Sequence, residues 1–201
     1  MCGRYYVEPS QEDEQIRKVL ASVEKHYPGQ CKTGEINPGD TAAGVISVSN
    51  RIVPVPAVFG FPGVYSPGDG RMSGAGRLLI NARSETAAKK KLFADHFERR
   101  RIILPASGFY EWSMDERKTK YYFELPGQNA VYLCGLYCVL DGACRFVILT
   151  KTANASVEEI HERMPVILSG DQVRPYLTDT SEAEKLLTED GPILKRTALL
   201  R

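Results

Sequence analysis

The feature that most restricts the fold is a run of closely spaced strand-like segments in the second half of the chain. From Arg101 to Thr150, apolar, β-branched and aromatic stretches are separated by short polar turns: RIILPA, GFYEW, KYYFELP, AVYLCGLYCVL and CRFVILT. Strands joined by such short connections usually pair with antiparallel neighbours. We therefore predict an α+β domain with a β-rich, mostly antiparallel sheet or barrel as its core and helices at its periphery.

The amino-terminal part of the chain adds one helix and further strands. We predict that the helix starts at Ser10, has Asp13 in the capping-box position and ends near Tyr27; its apolar residues recur at helical spacing, at Ile16, Val19, Leu20 and Val23. From Gly44 to Phe61 the β-rich runs are interrupted by prolines. This pattern predicts strands with at least one edge or bulge.

Other segments are expected to connect or cover the sheet. Residues 62–76 are rich in glycine and proline and predict a surface loop rather than a linker between domains. A short helix is expected over about 84–97, a capped helix over Asn154–His161, and a last helix in SEAEKLLTE.

Length and charge limit the organisation of the chain and its partners. A chain of 201 residues with 43% hydrophobic content can build one sizeable core, so we expect a single domain over 1–201. The formal net charge is +1, so any nucleic-acid surface must be local. No apolar stretch approaches the ~18 residues of a membrane span and the first residues lack a signal-peptide core, which predicts a cytoplasmic protein without a membrane partner.

The cysteines indicate a reducing compartment and single out one residue. Five cysteines without a C-x-x-C pair favour neither a disulfide framework nor a structural zinc site. Cys134, Cys138 and Cys144 lie in apolar strand-like runs and are expected in the core. Cys2 stands apart because it directly follows the initiator methionine.

Cys2 is a candidate nucleophile with two reactive groups. Methionine aminopeptidases remove Met1 when the second residue is small, and the chain would then begin with a free 1,2-aminothiol. An α-amine has a reference pKa of about 7.7–8.0, and the adjacent thiol is expected to become a thiolate at modest cost. An aldehyde would condense with the amine to a Schiff base, and the thiol would close a thiazolidine ring. Position alone favours the other reading, a cysteine without function at a frayed terminus.

Four separated blocks resemble one known family. They are MCGRY at the start, LLINARSET at 78–86, ILPASGFYEW at 103–112 and IHERMPVIL at 160–168. In this order and spacing they resemble the SOS-response-associated peptidase (SRAP) family. The resemblance implies a compact β-rich α+β domain that detects abasic sites in single-stranded DNA and links to them through the amino-terminal cysteine.

The resemblance also implies a set of catalytic residues. By family position, Cys2 is the nucleophile, Asn81 a polar clamp, Glu111 an acid/base and His161 a second proton carrier. A histidine with a pKa of about 6.5 can protonate the sugar ring oxygen at neutral pH, and a carboxylate beside the amine can shuttle protons. Without the family, Glu111 could equally face solvent, His161 could lie on the surface, and Asn81 could serve a turn.

Contacts with DNA are expected to be few and mostly to phosphates, because a lesion without a base offers no edge to read. By family position, Arg4 and Arg83 are predicted phosphate ligands, and Trp112 is predicted to pack against a neighbouring base. The basic runs 89–91 and 99–101 are either additional contacts or solvated helix faces. Many family members carry a Trp-Gly pair where this chain has Val58-Phe59-Gly60-Phe61, so stacking there falls to phenylalanine or is lost.

These residues lead to one functional hypothesis and two rivals. The hypothesis is a monomeric DNA-damage enzyme that forms a thiazolidine crosslink between Cys2 and an abasic site, associates with the nucleoid when bound, and removes Met1 by autoproteolysis. No metal or organic cofactor is indicated. The first rival is an N-terminal-nucleophile cysteine peptidase or amidohydrolase with His161 as base. The second is a non-catalytic module that binds damaged or modified DNA through the arginines.

Overall fold

A computed structural model describes residues 2–8, 13–62, 64–65, 72–73 and 78–199. The predicted helix start at Ser10 and most of the loop predicted at 62–76 lie outside these residues. The described strands are β1 (Arg4–Val7), β2 (Gly34–Ile36), β3 (Thr41–Val48), β4 (Arg51–Phe59), β5 (Val64–Tyr65), β6 (Met72–Ser73), β7 (Asn81–Arg83), β8 (Arg101–Ala106), β9 (Gly108–Trp112), β10 (Lys120–Glu124), β11 (Val131–Leu140), β12 (Ala143–Thr152), β13 (Arg163–Pro165), β14 (Ile167–Leu168) and β15 (Lys195–Leu199).

The helices are short and few beside these strands. They are α1 (Glu14–His26), α2 (Ser84–Ala87), α3 (Ala94–Arg99), α4 (Val173–Thr178) and α5 (Thr180–Thr188), with one 3₁₀ turn at Gly170–Gln172. The predicted α+β class dominated by strands is therefore confirmed. Among the described residues, none of the helices is both long and apolar enough to cross a membrane.

Five strands close into a barrel. Strand β12 pairs antiparallel with β11 on one side and parallel with β4 on the other, and β4, β3, β8 and β11 follow one another around the circle. Strands β7 and β13 add to β12, and β14 adds to β11. Closure leaves the central strands without free edges, which explains why a long apolar sequence here does not expose a pairing template.

Tight turns set the register of two hairpins in this barrel. Ser49 and Asn50 join β3 to β4 with φ of 49° and 62°, and Asp141 and Gly142 join β11 to β12 with φ of 51° and 76°. Two-residue turns with positive φ at both positions match the twist of paired strands. Asn, Asp and Gly tolerate this backbone region best, so these positions define the strand ends.

A second sheet of five antiparallel strands lies beside the barrel, in the order β15–β10–β9–β1–β2. The chain passes from barrel strand β8 into β9 of this sheet with only Ser107 between them. The Ser107 amide donates to the Tyr6 carbonyl at 2.8 Å, and its hydroxyl oxygen accepts from the Glu8 amide at 2.9 Å. These bonds fix the point at which the chain changes sheets.

Barrel strand β8 contributes to two hydrophobic cores. Ile102, Leu104 and Ala106 join the core that also contains the buried faces of β1 and β9, whereas Ile103 joins the core beneath the helices. Side chains alternate between the two faces of a strand, so a strand that is covered on both faces is apolar throughout. The uninterrupted RIILPA segment follows from this double burial.

The cysteine predictions are largely confirmed. Cys134 and Cys138 are buried, and Cys144 is half-buried against the first core. All five cysteines are free thiols.

The first predicted helix is present over Glu14–His26, and its predicted start at Ser10 lies outside the described residues. Asp13 is its N-cap, because its carboxylate accepts from the Gln15 and Ile16 amides at 3.0 and 2.9 Å. The helix ends at His26, next to the predicted Tyr27, and it buries Ile16 and Val23. The predicted carboxy-terminal helix in SEAEKLLTE corresponds to α5.

Two helix predictions need correction. The segment 84–97 contains α2 and α3 separated by turns, because a continuous helix would place the buried Ala87 and Phe93 on different sides. Residues 154–161 form successive turns and no helix. There the Asn154 side chain accepts from the Ser156 amide at 3.1 Å, and the Ala153 amide donates to the Glu162 carbonyl at 3.0 Å, which closes the segment into a compact loop.

The passage from β8 to β9 generates a prediction about stability. A Cβ on Gly108 would lie 2.3 Å from the Phe123 carbonyl oxygen, a backbone atom that cannot move aside alone. We expect Gly108→Ala to lower the free energy of unfolding by about 1–3 kcal/mol through overpacking. Urea denaturation measures this. The matched control is Gly170→Ala, where the nearest atom would lie 3.5 Å away; an equal loss in both variants would contradict the assignment.

Candidate active site

Cys2 is fully enclosed although it stands at the amino-terminal end of the described chain. It is 0% exposed and belongs to the core between the barrel and the second sheet. Its thiol is 3.8 Å from the Arg4 carbonyl, a weak hydrogen-bond distance for sulfur. The following strand β1 pairs with β9 on one side and β2 on the other, so the residues after Cys2 are held from both edges.

Asn81 fixes the backbone of Cys2. It begins β7, which pairs parallel with β12 at Ile148. Its side-chain amide donates to the Cys2 carbonyl at 2.9 Å. Its Oδ1 atom is enclosed and has no hydrogen-bond partner within the described part of the chain. The side-chain NH2 group thus donates to the Cys2 carbonyl, and the buried Oδ1 can still accept a hydrogen bond.

Glu111 is a buried carboxyl group beside Cys2. It lies on β9 next to Tyr110, the strand partner of Arg4, and only 2% of it is exposed. Burial raises the pKa of Glu111 to about 7. The solvent-facing alternative for this residue is therefore excluded.

The thiol of Cys2 is not a ready thiolate. Burial, followed by the nearby charge of Glu111, raises the pKa of this thiol far above its ordinary value. Burial therefore disfavours the thiolate of Cys2 in this structure, because the enclosed site destabilises a second negative charge.

His161 ends the loop 154–161 and precedes β13. Its Nδ1 accepts from the Arg163 backbone amide at 3.0 Å, so Nε2 carries the proton of the neutral ring. Burial lowers the pKa of His161 below its ordinary value. The neighbouring Ile160 and Met164 belong to the same core as Cys2. The ring is therefore oriented, and burial favours its neutral form.

An ion pair between buried Arg163 and exposed Glu85, which sequence reasoning missed, supports this side of the site. Both guanidinium nitrogens of Arg163 contact the Glu85 carboxylate, at 2.5 and 2.9 Å, and one also donates to the Thr150 carbonyl. The hydrogen bond from Arg163 lowers the pKa of Glu85 to about 2. Both residues stand inside the blocks LLINARSET and IHERMPVIL, which was the available signal. The pair ties the segment after Asn81 to the segment after His161.

The remaining predicted residues lie on the surface around this site. Arg4 and Trp112 belong to what we call the Trp112 cluster, which consists of Arg4, Glu35, Tyr110, Trp112 and Lys120. Trp112 is half-buried. The Arg4 guanidinium lies over its ring, with Arg4 Cζ 5.0 Å from the ring centroid. Glu35 and Lys120 had no sequence signal, because they come from β2 and β10. Arg83 is exposed on β7, two residues after Asn81.

The basic runs and the phenylalanines divide between surface and core. Lys89, Lys90 and Lys91 are all exposed. Arg101 is buried and donates to the carbonyls of Phe97 and Tyr176, so it is neither a DNA contact nor a solvated residue. Phe59 and Phe61 are fully buried, so neither presents its ring at the surface. No group of histidine, cysteine or acidic residues suited to a metal ion occurs among the residues that the structure describes.

The fold is thus an α+β barrel with an attached antiparallel sheet, and a buried cysteine lies beside an amide and a carboxyl group. The family model described as "SOS response associated peptidase (SRAP)" matches residues 1–196. The chain belongs to the SRAP family.

Curated relatives share one description. The chain is 36% identical over 123 residues to the abasic site processing protein YobE of Bacillus subtilis (strain 168), a match that covers 56% of each protein. It is 26% identical over 186 residues to the abasic site processing protein YedK of Escherichia coli (strain K12), covering 88% of this chain and 79% of that protein. The chain therefore spans little more than half the length of the Bacillus relative that it matches.

Solved structures share the fold. A crystal structure of a Bacteroides thetaiotaomicron protein superposes with a TM-score of 0.75 at 19% identity, covering 99% of this chain and 92% of that chain. A phage-related protein from Bordetella bronchiseptica gives a TM-score of 0.72 at 24% identity, covering 100% of this chain and 95% of that chain. At these identities the likeness shows the fold alone.

The buried carboxyl group generates a prediction about pH. Because the pKa of Glu111 rises from 4.5 to about 7 on folding, the folded state binds its proton more tightly than the unfolded state. The free energy of unfolding should therefore fall as pH increases from about 4.5 to 7, by on the order of 3 kcal/mol at about 1.4 kcal/mol per pH unit. Below pH 4.5 the carboxyl group is protonated in both the folded and the unfolded state, so its contribution to the free energy of unfolding is fully present and no longer varies with pH.

Glu111→Gln should remove this part of the pH dependence, because glutamine does not titrate. Urea denaturation at a series of pH values measures it. Glu116→Gln, at an exposed position on the following turn, is the charge-matched control. The same pH dependence in wild type and Glu111→Gln would show that the carboxyl group is not buried as described.

Proposed function

We propose that this chain processes abasic sites in single-stranded DNA, and that it does so by linking Cys2 to the lesion as a thiazolidine after Met1 is removed. The curated relatives that it matches are named abasic site processing proteins. The observation that carries the proposal is the fixed position of Cys2. A terminal residue normally frays, whereas this one is buried and bonded to Asn81 at 2.9 Å.

In the first step the α-amine of Cys2 forms a Schiff base with the lesion. Because the thiol is protonated, the α-amine of Cys2 is the available nucleophile and attacks the aldehyde carbon of the opened deoxyribose. The carbinolamine then loses its hydroxyl group as water and leaves a C=N bond. Glu111, with a pKa of about 7, can supply the proton to that hydroxyl group and take one from nitrogen, because both of its protonation states are populated near neutral pH.

In the second step the sulfur closes the ring. The Cys2 thiol adds to the same carbon, and its proton moves through the Glu111 carboxylate to the ring nitrogen. One C–N bond and one C–S bond form, the aldehyde oxygen leaves as water, and no oxidant or reductant is needed. Asn81 holds the Cys2 backbone during both steps, so the amine and the thiol are already oriented towards the same carbon atom.

His161 is proposed to assist the opening of the sugar ring. Its neutral ring carries a proton on Nε2, so it acts as a hydrogen-bond donor to the ring oxygen rather than as a preformed imidazolium ion. The loss of water and the opening of the sugar both place a proton on oxygen, and a fixed donor lowers the barrier to each. The same groups would serve the reverse reaction.

The DNA strand is proposed to run past Arg83 and the Trp112 cluster. Arg83 is exposed two residues from Asn81, where a phosphate can reach it. Trp112 presents an aromatic surface for a base beside the lesion, and stacking of this kind tolerates any sequence. Capture of one site needs one copy of the chain, so we propose that a monomer of one domain acts. Autoproteolytic removal of Met1 would account for the peptidase in the family name.

The proposal predicts a heat-stable crosslink. Protein whose loss of Met1 is verified by intact mass, mixed with a single-stranded oligonucleotide carrying one abasic site, should give a shifted band on a denaturing gel. Undamaged DNA should give none. Cys2→Ala should give a product only after borohydride reduction, because its amine still forms a Schiff base but no thiol closes the ring. Cys31→Ala, at a half-buried free cysteine, should behave as wild type.

Two results would contradict the crosslink. The absence of product from Met1-free protein would favour attack of Cys2 on an acyl carbon, as in a cysteine hydrolase. A heat-stable product from Cys2→Ala without reductant would exclude the thiazolidine and leave another nucleophile to be found.

The acid/base role of Glu111 predicts a pH dependence of the rate. The rate of crosslinking should rise through pH 7 as the carboxylate forms, and Glu111→Gln should lose this inflection and slow the reaction about 10²-fold or more. Quenched time courses on excess protein measure it. The remaining inflection in Glu111→Gln should reflect the α-amine alone. An unchanged profile would remove Glu111 from the mechanism.

A further inference from the structure

The Trp112 cluster contains a carboxylate, that of Glu35, which forms ion pairs with two cations. Glu35 Oε1 lies 2.9 Å from Arg4 Nη1, and Glu35 Oε2 lies 2.5 Å from Lys120 Nζ. Each carboxylate oxygen therefore accepts from a different side chain. A phosphodiester offers the same arrangement, since its two non-bridging oxygens can each accept from one cation.

Strand pairing brings these residues to one face of the second sheet. Arg4 is the strand partner of Tyr110, and Lys120 is the partner of Trp112. Glu35 is opposite Tyr6, two residues along β1 from Arg4. Because side chains alternate along strands, this set faces away from the core that holds Tyr5, Phe109 and Phe123.

Both cations lie against aromatic rings. Arg4 Cζ is 5.0 Å from the Trp112 ring centroid, and Lys120 Nζ is 3.9 Å from the Tyr110 centroid and 5.5 Å from that of Trp112. The rings favour cations over their faces and limit where these side chains can go. The cations would therefore stay in place without Glu35.

Glu35 stays ionised in this setting. Partial burial opposes ionisation, but the hydrogen bonds from Lys120 and Arg4 outweigh it and lower the pKa of Glu35. Two cations and one anion leave the cluster with a single positive charge. Both ion pairs are partly exposed, and exposed pairs contribute little to stability, so exchanging the partner anion is energetically inexpensive.

We propose that Glu35 is an internal competitor of the DNA backbone, and that a phosphate of the bound strand replaces its carboxylate on Arg4 and Lys120 beside Trp112. This inference rests on the proposed function, because it assumes that a single strand crosses the cluster. It assigns Lys120 as a phosphate ligand and Glu35 as the residue that restrains affinity. Strands that offer no phosphate at this position leave the cluster closed.

Equilibrium binding tests this exchange. All variants carry Cys2→Ala, so that no covalent product forms, and the probe is a labelled single strand with a stable tetrahydrofuran abasic analogue. Fluorescence anisotropy from about 50 to 200 mM salt gives the affinity and its salt dependence. Glu35→Gln should bind about three- to tenfold more tightly at low salt. The slope of log K against log salt should change by less than about 0.7, the value for one phosphate, because the same phosphate is bound in both proteins.

Matched variants separate exchange from a general charge effect. Glu182→Gln removes one carboxylate from another surface pair, with Lys185, and should change affinity by less than about twofold. Glu35→Asn removes the same charge with a shorter side chain and should act in the same direction as Glu35→Gln. Lys120→Met should weaken binding more when Glu35 is already replaced, because Lys120 is then committed to phosphate.

The outcomes distinguish this inference from the proposed function. Binding by the parent with equal or weaker binding by Glu35→Gln and Glu35→Asn would overturn the exchange and leave the function standing. No binding by the parent or by either variant would overturn both. An increase in DNA affinity of the same size in Glu182→Gln would show that the effect comes from net charge alone, and it would overturn the exchange.

Discussion

The passage of the chain from β8 into β9 through Ser107 is the constraint on which the arrangement of the site depends. It makes the barrel and the second sheet share one continuous stretch of backbone, and β1 is held against that stretch by the Ser107 bonds to Tyr6 and Glu8. Glu111 follows at a fixed distance along β9. The position of the buried carboxyl group relative to Cys2 is therefore set by backbone pairing rather than by a mobile loop.

Burial favours the neutral form of all three titratable groups of the site. It raises the pKa of the Cys2 thiol and of Glu111, and it lowers the pKa of His161. Each shift favours the neutral form of its group. A site that disfavours fixed charge suits a reaction in which protons move between neutral partners, whereas the charged side chains nearby lie on the surface around Trp112.

The strands could be predicted well from the sequence, and the tertiary contacts poorly. The run from Arg101 to Thr150 could be assigned because strands buried on both faces are apolar throughout. The helix expected over 154–161 failed because the Asn154 side chain stabilises turns, a choice that local propensity does not decide. Glu85 and Arg163 both stand in blocks that resemble the family, but the blocks do not show that these two distant residues pair. The same holds for the pKa values, which depend on what covers each group.

The pairing of β1 also affects the order of events during synthesis of the chain. Arg4 pairs with Tyr110, so the first strand to leave the ribosome must wait for the middle of the chain before its second edge is covered. Until then only β2 can hold it. The first strand is thus made early and covered late, so Cys2 stays accessible until the middle of the chain has been synthesised.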